Sequence, residues 1–150
     1  MVADISPRAA PAQRHEILEA LCSVDPGQFH SREAVDVALA ERLPDARLRR
    51  FLLKNLTPTE EGKLQWQPNL PSIRAGYPKL AEAVEGGRPF AKPTLFLRGE
   101  KSTYLNENDL PEIRRLFPNA TLQVVKDAGH WLHADAPAEF TRQVLEFLTE

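Results

Sequence analysis

A titratable ring stands in a short loop near the end of the chain. Residues 127–137, DAGHWLHADAP, follow the apolar run TLQVV and place Trp131 between two histidines, His130 and His133. Histidine changes charge near neutral pH, so an imidazole in such a loop can accept and return a proton. His130 is therefore a candidate general base, and the plain alternative is a loop histidine that caps backbone groups.

The same run contains three possible metal ligands, His130, His133 and Asp135. It has neither the histidine pair four residues apart on a helix nor the cysteines that are typical of zinc sites. We therefore predict no metal site and no cofactor.

Two other polar groups follow apolar runs. Asp4 comes directly after VA, and GEKS, residues 99–102, comes after TLFLR. In open parallel sheets, functional groups lie just past the carboxyl ends of the strands. If the strands are neighbours, Asp4, Ser102 and His130 converge on one edge. Asp4 could alternatively cap the following helix.

The elements that must position these groups lie at the end of the chain. PTLFLRG, NDLPEIRRLFP, ATLQVV and PAEFTRQVLEFLTE alternate between strand and helix patterns, which is typical of an α/β parallel sheet with covering helices. Asn108 or Asp109 is the predicted cap of the first helix, with Pro111 in its first turn. The last helix is predicted to face inward through Phe140, Val144, Phe147 and Leu148.

The middle of the chain is predicted to be helical. PAQRHEILEALCSVD forms one helix, Ser31 caps a second and Asp45 caps a third. A short strand is expected around Trp66, and two short helices are expected to break near Pro78. Residues 85–93 are a linker by their glycines and prolines. The apolar stripe of the third helix is Leu48, Phe51, Leu52 and Leu56.

Composition narrows the partners. The chain has 150 residues, a net charge of -2 and one cysteine, Cys22. It has no basic stripe for nucleic acid, no apolar run long enough for a membrane and no secretory signal. We expect no nucleic-acid or membrane partner and a cytoplasmic location.

The ordered motifs resemble the α/β-hydrolase fold family. AGHWLHADAPAEFTRQVLEFL looks like the family's histidine loop and final helix, and KPTLFLRGEKSTYL looks like the preceding strand. ADISP, SREAVDVALAE, RRFLLKNL, RGEKSTYL and GHWLHAD have the order and spacing of a subfamily of small esterases. The resemblance implies the end of a core strand and acid loop at 1–7, a helical lid at 8–90, and carboxyl-terminal parallel strands and helices at 91–150.

In this family a serine, an acid and a histidine follow one another along the chain. The resemblance makes His130 the general base and Asp4 the orienting acid, with Glu100 as the alternative acid. Ser102 is then a supporting hydroxyl, because GEKSTYL lacks the glycines of a G-x-S-x-G nucleophile turn.

The resemblance also implies a pocket for a small-molecule ester. Trp131 and Tyr104 are expected beside the site, although a large aromatic could equally fill the loop. An apolar lid suits an acyl chain, although apolar residues in a helical domain are most often core. The candidates for its inner wall are Phe51, Leu52, Leu56, Trp66 and Tyr77.

The sequence contains no G-x-S-x-G. We therefore expect a fragment of an α/β-hydrolase fold, with the amino-terminal half of the sheet missing. That half is the expected partner, and without it the chain should be inactive and should aggregate or associate. The alternative is a non-catalytic binding module, or a decayed gene product, that reuses the carboxyl-terminal half.

Overall fold

A computed structural model describes residues 1–10 and 13–149 of the chain. The elements, in chain order, are β1 (Val2–Ala3), α1 (Gln13–Cys22), α2 (Arg32–Ala40), α3 (Ala46–Leu52), β2 (Leu56–Pro58), β3 (Leu64–Trp66), α4 (Leu70–Leu80), β4 (Thr94–Gly99), α5 (Leu110–Leu116), β5 (Ala120–Val125), α6 (Leu132–Asp135) and α7 (Pro137–Thr149). Within the described part of the chain, every helix is too short or too polar to span a lipid bilayer.

The chain divides into two compact units. The first comprises Met1–Ala9 and Ala83–Glu150, of which Glu150 lies outside the described residues, and the second comprises Ala10–Glu82. The second unit falls within residues 8–90, the segment assigned to a lid. That role stays a prediction.

The first unit is a three-stranded parallel sheet with helices, which confirms the predicted α/β class. The strand order is β1-β4-β5, and the central strand β4 pairs in parallel with both neighbours. β4 is almost entirely buried because its two faces enter different apolar clusters. Leu95 and Leu97 pack with residues of the α6–α7 region, whereas Phe96 packs with Leu105 and Ile113.

The second unit contains α1–α4 and a short antiparallel hairpin of β2 and β3. Ser31 and Asp45 cap α2 and α3 through their side-chain oxygens, as the sequence predicts. The strand around Trp66 is also confirmed, and its indole nitrogen donates to the Val24 carbonyl at 3.1 Å. The buried core of this unit is formed by Leu18, Ala20, Leu21, Val35, Leu39, Leu43, Leu53, Leu56 and Leu70.

Two predictions about the second unit are wrong. Leu56 was expected on the stripe of the third helix, but α3 ends at Leu52 and Leu56 pairs with Trp66 in the hairpin. A break near Pro78 was expected, but α4 runs through this residue. Pro78 lies near the carboxyl end of α4, where its missing N–H removes one helical hydrogen bond, and the helix continues beyond it because Ala81 N donates to the Tyr77 carbonyl.

Of three local predictions about the first unit, one is confirmed in position and two are corrected. Asp109 lies at the N-cap position of α5, as predicted, but its side chain makes no capping bond to that helix, and Asn106 caps the 3-10 turn that leads into it. The loop that contains HWLHAD includes the short helix α6. Leu148 is 67% exposed, because it lies at the edge of the α7 stripe formed by the partly buried Phe140, Val144 and Phe147.

The carboxyl end of β4 requires a glycine. A Cβ atom on Gly99 would lie 2.2 Å from the Gly129 carbonyl oxygen and 2.7 Å from that of Ala128. The backbone of the 128–130 loop therefore passes directly over the end of the strand. This close approach places the histidine loop next to β4.

We predict that Gly99→Ala destabilises the chain by about 1–3 kcal/mol, because two backbone segments must separate to admit a methyl group. Gly87→Ala is the matched control, since no atom lies within 4 Å of the Cβ position there. The control should change stability by less than about 0.5 kcal/mol. Chemical denaturation followed by circular dichroism gives both values, and equal midpoints for the two variants would contradict the proposed contact.

Candidate active site

Asp4 is positioned by the end of β1. Its backbone N–H donates to the Leu97 carbonyl at 2.7 Å and extends the β1–β4 pairing by one bond. Its φ of 48° then turns the chain out of the sheet. Aspartate tolerates this left-handed region better than most residues do. The turn leaves the Asp4 side chain completely buried at the carboxyl edge of the sheet.

Three groups surround the Asp4 carboxylate. Gly99 N donates to Oδ1 at 3.0 Å, Ser102 Oγ donates to Oδ2, and His130 Nδ1 lies 2.8 Å from Oδ2. The structure thus brings together the three residues that the sequence analysis expects at one edge. A buried carboxylate is costly unless hydrogen bonds compensate it, and these contacts supply the compensation.

His130 stands at the surface of this cluster. Its side chain is 39% exposed, whereas that of Asp4 is 0% exposed. The ring stacks on Tyr104, with centroids 3.7 Å apart and planes inclined by 17°. When Nδ1 donates its hydrogen to Asp4, Nε2 keeps a lone pair that can accept a proton. The arrangement can therefore act as a general base.

Backbone hydrogen bonds hold the histidine loop against the end of β4. Lys101 N donates to the Ala128 carbonyl at 2.9 Å, and Gly129 N donates to Asp135 Oδ2 at 2.8 Å. Asp135 therefore contacts the loop backbone. Among the described residues, no group of three or more His, Cys, Asp or Glu side chains is arranged to hold a metal ion.

Glu100, the alternative acid, lies in a different environment. Its Oε2 accepts a hydrogen bond from Asp127 N at 2.9 Å. Lys101 donates to the Asp127 carboxylate at 2.9 Å, which lowers the pKa of Asp127 and raises that of Lys101. The structure thus places Glu100 in an exposed cluster of loop contacts, and the carboxylate next to His130 Nδ1 is that of Asp4.

The predicted pocket residues occupy varied positions. Tyr104 stacks on His130, and Trp131 is partly buried in the loop. Phe51 is 48% exposed, and Leu52 packs against the core of the helical unit. Of the other proposed wall residues, Leu56 belongs to that core, and Trp66 and Tyr77 pack against it.

The helical unit also contains a cavity of about 710 Å³. Trp66 is the member of the proposed wall that lines it. Phe51 and Leu52 are not among its lining residues. Their assignment to a substrate pocket stays a prediction.

Sequence reasoning missed the role of Gly99. Its N–H is a donor to the buried acid, and its lack of a side chain admits the histidine loop. The available signal was a glycine at the end of an apolar strand, a position where close approach of another backbone is common.

Comparisons with known proteins agree with this architecture. A family model described as alpha/beta hydrolase fold matches residues 6–137. The sn-1-specific diacylglycerol lipase ABHD11 of Danio rerio is 36% identical over 160 residues, covering 99% of this chain and 48% of that protein. Esterase YbfF of Escherichia coli is 28% identical, covering 98% of this chain and 56% of that protein.

Solved structures show the same relationship. A marine microorganism esterase superimposes with a TM-score of 0.92 and 36% identity, covering 97% of this chain and 59% of that one. E-2-(acetamidomethylene)succinate hydrolase, at 23% identity and a TM-score of 0.65, shares the fold. The chain spans about half the length of the curated relatives that it matches. From its family match and its sheet, this chain belongs to the α/β-hydrolase fold family.

Proposed function

We propose that this chain forms the acid and base half of a carboxylic ester hydrolase. The observation that carries the proposal is the 2.8 Å contact between His130 Nδ1 and the fully buried carboxylate of Asp4. That contact would orient the imidazole and fix its hydrogen on Nδ1, which is the role of the acid in a Ser-His-Asp triad. Similarity to proteins named esterase and diacylglycerol lipase supports an ester as the substrate.

The proposed reaction begins with proton transfer from a serine hydroxyl to His130 Nε2. The serine oxygen attacks the ester carbonyl, and the imidazolium that forms is stabilised by the Asp4 carboxylate. His130 then returns the proton to the departing alcohol, which leaves an acyl-serine. Water, activated by the same imidazole, releases the carboxylic acid and regenerates the serine.

The acid is held for this task by donors on neighbouring elements. Gly99 N–H occupies one carboxylate oxygen, and Ser102 Oγ shares the other with the imidazole. Ser102 thereby supports the acid and is not the proposed nucleophile. Fixed donors of this kind keep the carboxylate from rotating away as the charge on the ring changes.

We further propose that the nucleophile belongs to polypeptide outside these 150 residues. The sequence has no G-x-S-x-G, and the chain spans only about half of its curated relatives. Among the described residues, β1 pairs only with β4, and Met1 and Ile5 are 50% and 42% exposed beside it. An unpaired strand edge next to exposed apolar side chains suits continuation of the sheet.

His130→Ala should lower kcat for a p-nitrophenyl ester by about 10⁴-fold or more in the longer protein that contains this chain and a G-x-S-x-G segment. We expect this loss of kcat because His130 can no longer take the proton from the serine and return it. His133→Ala is the matched control, because His133 is exposed and its ring contacts Phe140 instead of the acid. We expect near-normal turnover from that variant.

Retained turnover in His130→Ala would refute the assignment of the base. The isolated 150-residue chain should show no turnover of the same ester.

The coding DNA offers an independent check. An in-frame G-x-S-x-G upstream of Met1 would support the enzyme, whereas an upstream stop codon with a start signal would favour a non-catalytic module.

Asp4→Asn should lower kcat by about 10⁴-fold in the same longer protein, because an amide at this position favours the wrong imidazole tautomer. Glu100→Gln is the matched control and keeps an oxygen that can accept from Asp127 N. The control should stay within a few-fold of the parent. If Glu100→Gln lost activity and Asp4→Asn did not, the orienting acid would be Glu100.

A further inference from the structure

One buried carboxylate in the first unit takes no part in the proposed reaction. The side chain of Asp109 is 1% exposed and forms an ion pair with the half-exposed Arg8. Its Oδ1 accepts from Ser6 Oγ at 2.9 Å and from Arg8 Nε at 2.7 Å, and its Oδ2 accepts from Asn106 N at 2.8 Å. A buried charge with this many specific partners constrains the geometry of the groups around it.

Two of those partners follow directly after the proposed acid. Asp4 leaves the sheet in a left-handed conformation, and residues 5–10 form no helix or strand. Ser6 and Arg8 are joined to each other, because Arg8 N donates to Ser6 Oγ at 3.2 Å, and both bind Asp109. Two backbone bonds also hold this segment: the Pro7 carbonyl accepts from Val84 N at 2.7 Å, and Ala10 N donates to the Ala81 carbonyl at 2.8 Å. The side-chain bonds from residues 6 and 8 to another part of the unit run to the Asp109 carboxylate.

The third partner belongs to the loop that contacts the acid and the base. That loop begins at Gly99, carries Ser102 against Asp4 and Tyr104 against His130, and ends in the turn that contains Asp109. Asn106 and Asp109 form a reciprocal capping box there, which fixes the Asp109 side chain relative to the loop. Asp109 therefore joins the loop to the segment that follows the acid.

We propose that Asp109 is a positioning residue, whose carboxylate clamps residues 6–8 to the loop at 99–109 and thereby holds Asp4 in register with His130. It acts through Asp4 and touches neither the imidazole nor a reacting atom. The inference rests on the proposed function, because it assigns Asp109 to the same acid–base pair. Small displacements of a catalytic group can cost about 10²-fold in rate, so such a clamp has a measurable consequence.

The first test needs no turnover. In the longer protein that contains this chain, the ¹⁵N resonances of the two ring nitrogens of His130 report which of them carries the hydrogen. They should be well separated in the parent, where Nδ1 faces Asp4. The Asp109→Asn variant has one acceptor oxygen instead of two, so it cannot accept from Ser6, Arg8 and Asn106 together. In this variant the difference between the two ¹⁵N shifts should narrow toward that of a free imidazole, which exchanges between its two tautomers.

Three further variants separate positioning from a general loss of stability. Ser6→Ala removes one hydroxyl from the clamp and should partly narrow the separation of the two His130 ¹⁵N resonances. Ser6→Thr keeps the hydroxyl and should show the same separation as the parent. Ile113→Val, which trims a buried side chain of α5 in the apolar cluster with Phe96, should lower the melting temperature without moving the His130 resonances. Unchanged His130 resonances in Asp109→Asn, or an equal change in Ile113→Val, would overturn the proposal.

Turnover by the same longer protein supplies the second test. Asp109→Asn should reduce kcat by about 10- to 100-fold with little change in KM, since the clamp orients the acid and does not bind the ester. An unchanged kcat would also overturn the proposal. If the longer protein hydrolysed no ester at all, the proposed function would fail, while the ¹⁵N result would still decide whether Asp109 positions the His130–Asp4 pair.

Discussion

The buried carboxylate of Asp4 is the constraint on which the rest of this unit depends. A charge with no exposed surface must be compensated by donors, and each donor comes from a different part of the chain. Gly99 N–H comes from the end of β4, Ser102 Oγ from the loop beyond it, and the His130 ring from the loop after β5. The three parts must therefore assemble together.

The sheet makes that assembly possible. Because β1, β4 and β5 are parallel, their carboxyl ends lie along one edge, and the β4–β5 register sets Gly99 opposite Val125. Apolar clusters on both faces of β4 hold this register, since a slip of one residue would exchange Leu95 and Leu97 with Phe96. Packing in the core thus fixes the distances at the edge.

Some of this could be predicted from the sequence and some could not. Alternation of strand and helix patterns predicts the parallel sheet, and polar residues after apolar runs predict where Asp4, Ser102 and His130 lie. Leu56 fits a helical stripe equally well, and only its pairing with Trp66 makes it a strand residue. The break expected at Pro78 is absent because a proline removes a single N–H donor, and the neighbouring bond from Ala81 N to the Tyr77 carbonyl still forms.

The sequence by itself determined the class of fold, the order of the motifs and the residue types available for proton transfer, because these follow from local pattern and chemistry. Only the tertiary structure decided which carboxylate meets the imidazole. Asp4 and His130 are 126 positions apart, whereas Glu100 is closer in sequence yet accepts from Asp127 N. Pairing across a sheet depends on strand register and on how closely two backbone segments approach, here at Gly99. Neither can be predicted from a single stretch of residues.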